Sequence, residues 1–334
     1  MTRSVSAVIL GIAASFALVA LGGCAPMPPD AWRLEPIRHD NRSDGEIGPA
    51  RFTDVTFAMR LTPDTAGGFW GESAGSWLHL DADGTALRRF DLGLDAPNPI
   101  YGISALTPTR LLVSAPAEGA SGAIHLFDTA TGSWETVYRE IGILGDLAVR
   151  GDDVYIVEFA HEGRSGTFTV RRLDLRAPDS LVDASPPLPV PAGGSWLHDA
   201  VAIDVGPDGT LFLATSSERI TVGPDGQVLE RVPRETPYPL VAVGPEGTAV
   251  WSGGRVSTDE VPFRLTGGSA EAREVLAQIG CSGDALEVAS GVSGLTLPFL
   301  CAPRGIAWLD PHAFVVSVGG ESGAVLVRVD APAA

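Results

Sequence analysis

Residues 201–232, VAIDVGPDGTLFLATSSERITVGPDGQVLERV, decide the fold of this chain. They contain four short runs of β-branched and apolar residues, and the tetrapeptide Gly-Pro-Asp-Gly occurs twice, at 206–209 and 223–226. Glycine permits the positive φ that tight turns need, and aspartate accepts hydrogen bonds within its own turn, so each tetrapeptide predicts a hairpin turn. The stretch therefore predicts a four-stranded antiparallel meander.

Looser copies of this meander lie on both sides of it. The next copy has its Gly-Pro-Glu-Gly turn at 244–247, and further copies are indicated at 55–92, 101–139 and 146–184. The last copy, 305–329, has only three strands, and a strand from 31–37 or from 48–53 would complete it. Sheets repeated at about 40 residues are typical of β-propellers. We therefore predict an all-β fold, a six-bladed propeller of four-stranded antiparallel blades.

The run VAIDVGPDGTLFLAT resembles the strand-turn-strand core of a group of known six-bladed propellers. These are the NHL-repeat proteins, the gluconolactonase-like enzymes and the TolB-type propellers. The resemblance covers most of 55–329 and implies their fold. It does not specify a function, because one propeller framework supports many unrelated activities.

The N-terminus predicts export and lipid anchoring. Arg3 precedes an apolar run at 5–21, which is short for a membrane-spanning helix, so residues 1–23 are expected to be a signal peptide. Leu21-Gly22-Gly23-Cys24 resembles the bacterial lipobox, which implies that Cys24 carries acyl chains such as palmitate. The alternative is an ordinary secretory signal followed by a chance cysteine. Anchoring would place the protein on the extracytoplasmic face of a bacterial cell membrane, with 24–50 as a tether and 51–334 as the propeller.

Cys281 and Cys301 are the two remaining cysteines. In an exported protein they predict a disulfide, which would staple an insertion at 281–301. The formal net charge is −18, and all 23 basic residues are arginines that form no basic stripe. Binding to nucleic acid requires such a stripe, so this class of partner is excluded. We expect a monomer.

Candidate functional residues lie where each innermost strand of a propeller begins, at one mouth of the central channel. There the sequence places carboxylates, aromatic residues, a histidine and an arginine: Asp54, Tyr101, Asp146, His198, Asp199, Tyr238 and Arg304. Converging polar groups are typical of a ligand site. Each residue taken singly could equally be a solvated rim residue or a turn cap. His198 and Asp199 are the candidates for catalysis.

Three functions remain open. The first is binding of a small molecule or of an envelope protein. The second, implied by the resemblance, is a gluconolactonase-type hydrolase that uses a divalent cation such as Ca²⁺. Against it, His198-Asp199 stands where that family has Asn-Asp, and Pro303-Arg304-Gly305 stands where it has Ser-Asn-Gly; an arginine would repel the cation. The third is a quinone-dependent sugar dehydrogenase, for which only His198 and Arg304 speak. We favour binding over catalysis.

Overall fold

Short runs of β-branched and apolar residues form antiparallel strands throughout the part of the chain that the structure describes. In this computed structural model, that part comprises 33–36, 38–40, 47–49, 61–73, 76–82, 86–91, 100–116, 122–160, 166–178, 180–190, 201–233, 239–253, 263–267, 274–282, 285–288, 296–297, 302–320 and 323–330. Within these ranges every regular element is a strand. The same ranges contain no helix of the length and apolar character needed to cross a membrane.

Five sheets, which we call blades 1 to 5, consist of consecutive strands. Blade 1 contains β4 (Leu61–Pro63), β5 (Phe69–Ser73), β6 (Ser76–Leu80) and β7 (Ala86–Asp91). Blade 2 contains β8 (Gly102–Thr107), β9 (Arg110–Pro116), β10 (Gly122–Asp128) and β11 (Ser133–Ile141). Blade 3 contains β12 (Ile143–Arg150), β13 (Asp153–Phe159), β14 (Thr167–Asp174), β15 (Leu181–Asp183) and β16 (Leu188–Pro189).

Blade 4 is the stretch from which the fold was predicted, and it is the expected meander. It contains β17 (Val201–Val205), β18 (Leu211–Thr215), β19 (Glu218–Val222) and β20 (Val228–Pro233). Gly209 and Gly226 have φ values of 90° and 81°. The Oδ1 atom of Asp208 accepts a hydrogen bond of 2.9 Å from the N–H of Thr210. The turn chemistry inferred from Gly-Pro-Asp-Gly is therefore confirmed.

Blade 5 is wider than predicted. Four of its strands are β21 (Val241–Val243), β22 (Ala249–Gly253), β23 (Phe263–Gly267) and β24 (Glu274–Ser282). The residues expected to form an insertion add β25 (Ala285–Val288) and β26 (Thr296–Leu297) to its edge. The apolar and β-branched residues of β25 extend the sheet by pairing with β24, for example Leu286 with Cys281. Cys301 lies outside the described residues, so the disulfide stays a prediction.

The two ends of the chain share one sheet, which we call the closing sheet. Its strand order is β1 (Arg33–Pro36), β29 (Gly323–Asp330), β28 (Ala313–Gly320) and β27 (Ala302–Asp310). β1 lies within the first of the two segments expected to complete the last copy, and it pairs antiparallel with β29. A separate two-stranded ribbon joins β2 (Arg38–Asp40) and β3 (Ile47–Pro49). Residues 1–31, with Cys24 and the predicted signal peptide, lie outside the described part.

The first strands of the sheets surround a common axis. β4 contacts β8, β8 contacts β12, β12 contacts β17, β17 contacts β21, β21 contacts β27, and β27 contacts β4. This radial arrangement of small antiparallel sheets is a β-propeller, as predicted. The structure has five blades made of consecutive strands, whereas the sequence predicts six. The strands β27, β28 and β29 form the closing sheet together with β1.

The strand directions give the propeller two different faces. Each first strand begins on one face, which we call the mouth face, and its hairpin to the second strand turns on the opposite face, which we call the turn face. The core lies between neighbouring blades, because alternate residues of each strand face the blade on either side. Between blades 3 and 4, for example, Tyr155, Phe168, Ile203 and Leu213 are buried together.

Candidate functional site

Tyr101 lies on the mouth face, directly before β8. Its backbone N–H donates a hydrogen bond of 2.8 Å to the carbonyl of Ser114. The side chain is half-buried, and this burial raises the pKa of the Tyr101 phenol above its usual value of 10.0. The phenol is therefore protonated at neutral pH, and it packs beside the apolar cluster between blades 2 and 3.

Asp146 lies in the half of β12 that is nearer the mouth face. The pairing of β12 with β13 is irregular there, between Leu144 and Leu147. Such bulges redirect a side chain. The carboxylate accepts hydrogen bonds from the N–H groups of Leu147 at 2.9 Å and of Ile203 at 3.2 Å. Since Ile203 belongs to blade 4, Asp146 joins the first strands of blades 3 and 4.

The structure brings the backbone that follows Tyr101 against Asp146. A Cβ atom added to Gly102, the residue after Tyr101, would lie 2.8 Å from the Cα and the Oδ1 of Asp146 and 2.6 Å from the amide nitrogen of Leu147. The two backbones can approach this closely only because Gly102 has no side chain. Two of the predicted mouth residues are thus neighbours on adjacent blades.

The other predicted residues divide into two groups. Arg304 is the third residue of β27, at the mouth end of that strand, and its backbone alone is described. Four residues lie outside the described part of the chain: Asp54, His198, Asp199 and Tyr238. Their roles stay predictions.

Asp204 is a half-buried acidic residue that the sequence reasoning did not single out. It lies in β17, and its carboxylate accepts hydrogen bonds from the N–H of Val243 at 2.7 Å and from the N–H of Val205 at 2.8 Å. Burial raises the pKa of Asp204 to about 7; the two N–H groups oppose this rise and the nearby Asp146 carboxylate adds to it. The available signal was a charged residue inside the apolar run Val-Ala-Ile-Asp-Val, because aspartate is depleted in strands.

Asp204 joins the first strands of blades 4 and 5. Protein atoms surround the carboxyl group, while the residue as a whole keeps some accessible surface. Val243 belongs to an innermost strand, whose N–H groups on the axial side have no strand to pair with. The carboxylate of Asp204 satisfies one of these groups, so it has a structural role that a rim residue would not have.

Side-chain hydrogen bonds of this kind join every pair of neighbouring sheets among the described residues. In three of them a side chain accepts from a backbone N–H of the next blade, and the donor and acceptor atoms are Ala105 N and Thr62 Oγ1 (3.2 Å), Ile203 N and Asp146 Oδ2, and Val243 N and Asp204 Oδ2. In the other three a side chain donates to a backbone carbonyl, and the donor and acceptor atoms are Ser114 Oγ and Gly145 O (2.7 Å), Trp308 Nε1 and Ala242 O (3.1 Å), and Arg328 Nη1 and Ala82 O (3.1 Å). Much of the polar chemistry near the axis therefore holds the blades together.

The described part of the mouth offers few ligands for a divalent cation. The described residues contain no group of three or more His, Cys, Asp or Glu side chains that could hold a metal. Asp146 uses both carboxylate oxygens to accept backbone N–H groups, so it fits a hard cation less well than a free carboxylate would.

Comparisons with known proteins identify the fold. A gluconolactonase from Xanthomonas campestris is 17% identical, with 92% of this chain and 98% of that chain covered and a TM-score of 0.52. An oligogalacturonate lyase in complex with manganese is 12% identical, with 90% and 98% covered and a TM-score of 0.51. A Bacteroides thetaiotaomicron protein of unknown function is 11% identical, with 90% and 76% covered and a TM-score of 0.55.

This chain shares the β-propeller fold with those three proteins. At such identities the likeness concerns the fold alone. No protein-family model matches the chain, and no curated protein matches its sequence. The assignment of function therefore rests on the site itself.

Proposed function

We propose that this chain is a lipid-anchored, extracytoplasmic six-bladed β-propeller that binds a small polar molecule at its channel mouth. The observation that carries the proposal is the close approach of Gly102, the residue after Tyr101, to Asp146 on the adjacent blade. The phenol of Tyr101 and the carboxylate of Asp146 would then serve one ligand as donor and acceptor, since ligand pockets need a few convergent polar groups. His198, Asp199 and Arg304 complete the proposed rim.

The six-blade count is part of this proposal. It treats the closing sheet as a blade that takes its outer strand from the N-terminus. In support, Arg33 pairs with Asp330 and Pro36 pairs with Val327, so β1 occupies the place that β7 has in blade 1. Without β1 the closing sheet would have only three strands, and β29 would be left as an unpaired outer edge.

A ligand screen tests the binding proposal. Full-length protein in detergent is heated with sugars, sugar acids and lactones, and at least one compound is expected to raise the unfolding temperature by mass action. Tyr101→Phe is expected to weaken that compound's binding several-fold. Tyr138→Phe is the matched control, because Tyr138 is also half-buried in blade 2 but lies on its outer strand β11. If no compound changes the unfolding temperature, or if both variants bind equally, the proposal is wrong.

A metal-dependent hydrolase is the second candidate, favoured by the shared fold with the gluconolactonase over 92% of this chain. This reading expects bound Ca²⁺, Mn²⁺ or Zn²⁺ in the purified protein and lactone hydrolysis that depends on it. His198→Ala and Asp199→Ala should then abolish turnover. Metal analysis together with the lactone panel separates the two candidates, because a binding protein would retain its ligand without turning it over.

A further inference from the structure

The first residue of β1 lies on the turn face. Arg33 pairs with Asp330 at the end of β29, and Asp330 pairs in turn with Ala313, where the hairpin from β27 begins β28. Since this hairpin turns on the turn face, the chain that precedes Arg33 enters the propeller there. Asp330, the last described residue, lies at the same edge.

The chain between the proposed lipid anchor and the propeller is short. Residues 25–32 separate Cys24 from Arg33. Even fully extended, nine Cα-to-Cα steps span about 30 Å. The eight residues of β29 at roughly 3.3 Å each make the closing sheet about 26 Å tall. To bring the mouth face to the bilayer, nearly the whole tether would have to run back along the outside of the sheet. The turn face reaches the bilayer without that constraint.

We propose that the turn face is the membrane-proximal face and that the channel mouth is directed away from the bilayer. This orientation rests on the lipid anchor at Cys24 in the proposed function. Its consequence is that a ligand or partner reaches Tyr101 and Asp146 from the aqueous side. Molecules that travel in the plane of the membrane meet the opposite face.

The charge of the turn face determines how closely it approaches lipid. Exposed acidic residues occupy the turns of blades 3, 4 and 5: Asp152, Asp208, Asp225 and Glu246. Anionic headgroups repel such a surface over roughly 10 Å at 0.1 M salt. We therefore expect the propeller to stand off on its tether above an anionic bilayer at low salt, and to approach a zwitterionic bilayer more closely.

Energy transfer to labelled lipids tests the orientation. Full-length lipoprotein is reconstituted into phosphatidylcholine vesicles that contain an acceptor on the headgroup, and a donor dye is attached to an introduced cysteine. Asp225→Cys on the turn face is compared with Ser217→Cys on the mouth face. The two positions lie beyond opposite ends of β19 in blade 4. Asp152→Cys and Ala160→Cys form an equivalent pair in blade 3. All four positions are exposed.

Transfer is expected to be stronger from residues 225 and 152 than from 217 and 160, and weaker from all four when phosphatidylglycerol is included at low salt. The reverse order, or equal transfer within both pairs, would overturn the orientation. Labelling of the parent protein measures the background from native cysteines. Flotation with the vesicles tests the anchor separately, with Cys24→Ser as its control. A wild-type protein that does not float overturns the anchor, and the orientation with it.

Discussion

Replacement of Asp204 by asparagine should change how the stability of this protein depends on pH. The folded state has a pKa of about 7 at Asp204, whereas the ordinary value is 3.8. Below pH 3.8 the group is protonated in both the folded and the unfolded chain and contributes nothing. Between pH 3.8 and 7 only the unfolded chain ionises, so its contribution to the free energy of unfolding falls as pH rises. Above pH 7 the loss is constant.

The size of the effect follows from the interval between the two pKa values, which corresponds to about 4 kcal/mol. Between pH 4.5 and pH 8 the wild type should therefore lose about 3 kcal/mol relative to Asp204→Asn, which cannot ionise. Asparagine keeps one acceptor for the N–H groups of Val205 and Val243, so it costs stability at every pH. That constant cost cancels when the two pH values are compared.

Urea unfolding of both proteins at pH 4.5 and pH 8 measures this difference. Asp208→Asn is the matched control, because Asp208 lies in the turn between β17 and β18, directly after the strand that contains Asp204. Hydrogen bonds from Thr210 lower the pKa of Asp208, so its contribution to stability is lost only as pH falls below the ordinary pKa. Asp208→Asn should therefore change the free energy of unfolding by the same amount at pH 4.5 and at pH 8. If Asp204→Asn and the wild type show parallel pH dependence, the carboxyl group of Asp204 is not held as described.

Three further outcomes are expected. Ser114→Ala removes the buried hydrogen bond to the carbonyl of Gly145 and should lower the free energy of unfolding by about 1–3 kcal/mol in urea. Gly102→Ala places a Cβ atom against Asp146, so it should destabilise the protein by at least ~1 kcal/mol and weaken ligand binding at the mouth, measured by thermal shift. For Asp64, burial opposes ionisation, but hydrogen bonds from His79, Gly68 and Ala66 outweigh it and lower the pKa. Asp64→Asn should therefore cost more stability at pH 7 than at pH 3, as seen in urea titrations at both pH values.

The propeller architecture was predictable because its signals are local. Gly-Pro-Asp-Gly specifies a turn through the φ of its last glycine and the hydrogen bonds of its aspartate, and β-branched runs on each side specify strands. Blade 4 accordingly has its predicted strands within one or two residues. The edge of blade 5 was less predictable, since residues 285–288 and 296–297 become strands only by pairing with β24 or with each other.

The mouth was predictable only in part. The sequence predicts Tyr101 and Asp146 at positions just ahead of an inner strand. Tyr101 directly precedes β8 as predicted, whereas Asp146 is the fourth residue of β12, because that strand begins earlier than its sequence indicates. Their local sequence does not indicate that Gly102 must be a glycine, because the atoms that leave no room for a Cβ belong to blade 3. Nor does it show that Asp146 accepts a hydrogen bond from Ile203, fifty-seven residues away.

By itself, the sequence determined the class of fold, the turns and most strands of the repeats, and the acidic character of the chain, since each depends on residue type and short-range spacing. Export stays a prediction from the same kind of local pattern. The tertiary structure alone decided that β1 completes the sheet of β29, nearly three hundred residues away, and that burial raises the pKa of Asp204. The physical reason is that both effects depend on residues distant in sequence. These residues decide which strand pairs with β29 and which atoms surround the carboxyl group. These contacts place the start of the propeller on the turn face, opposite the mouth.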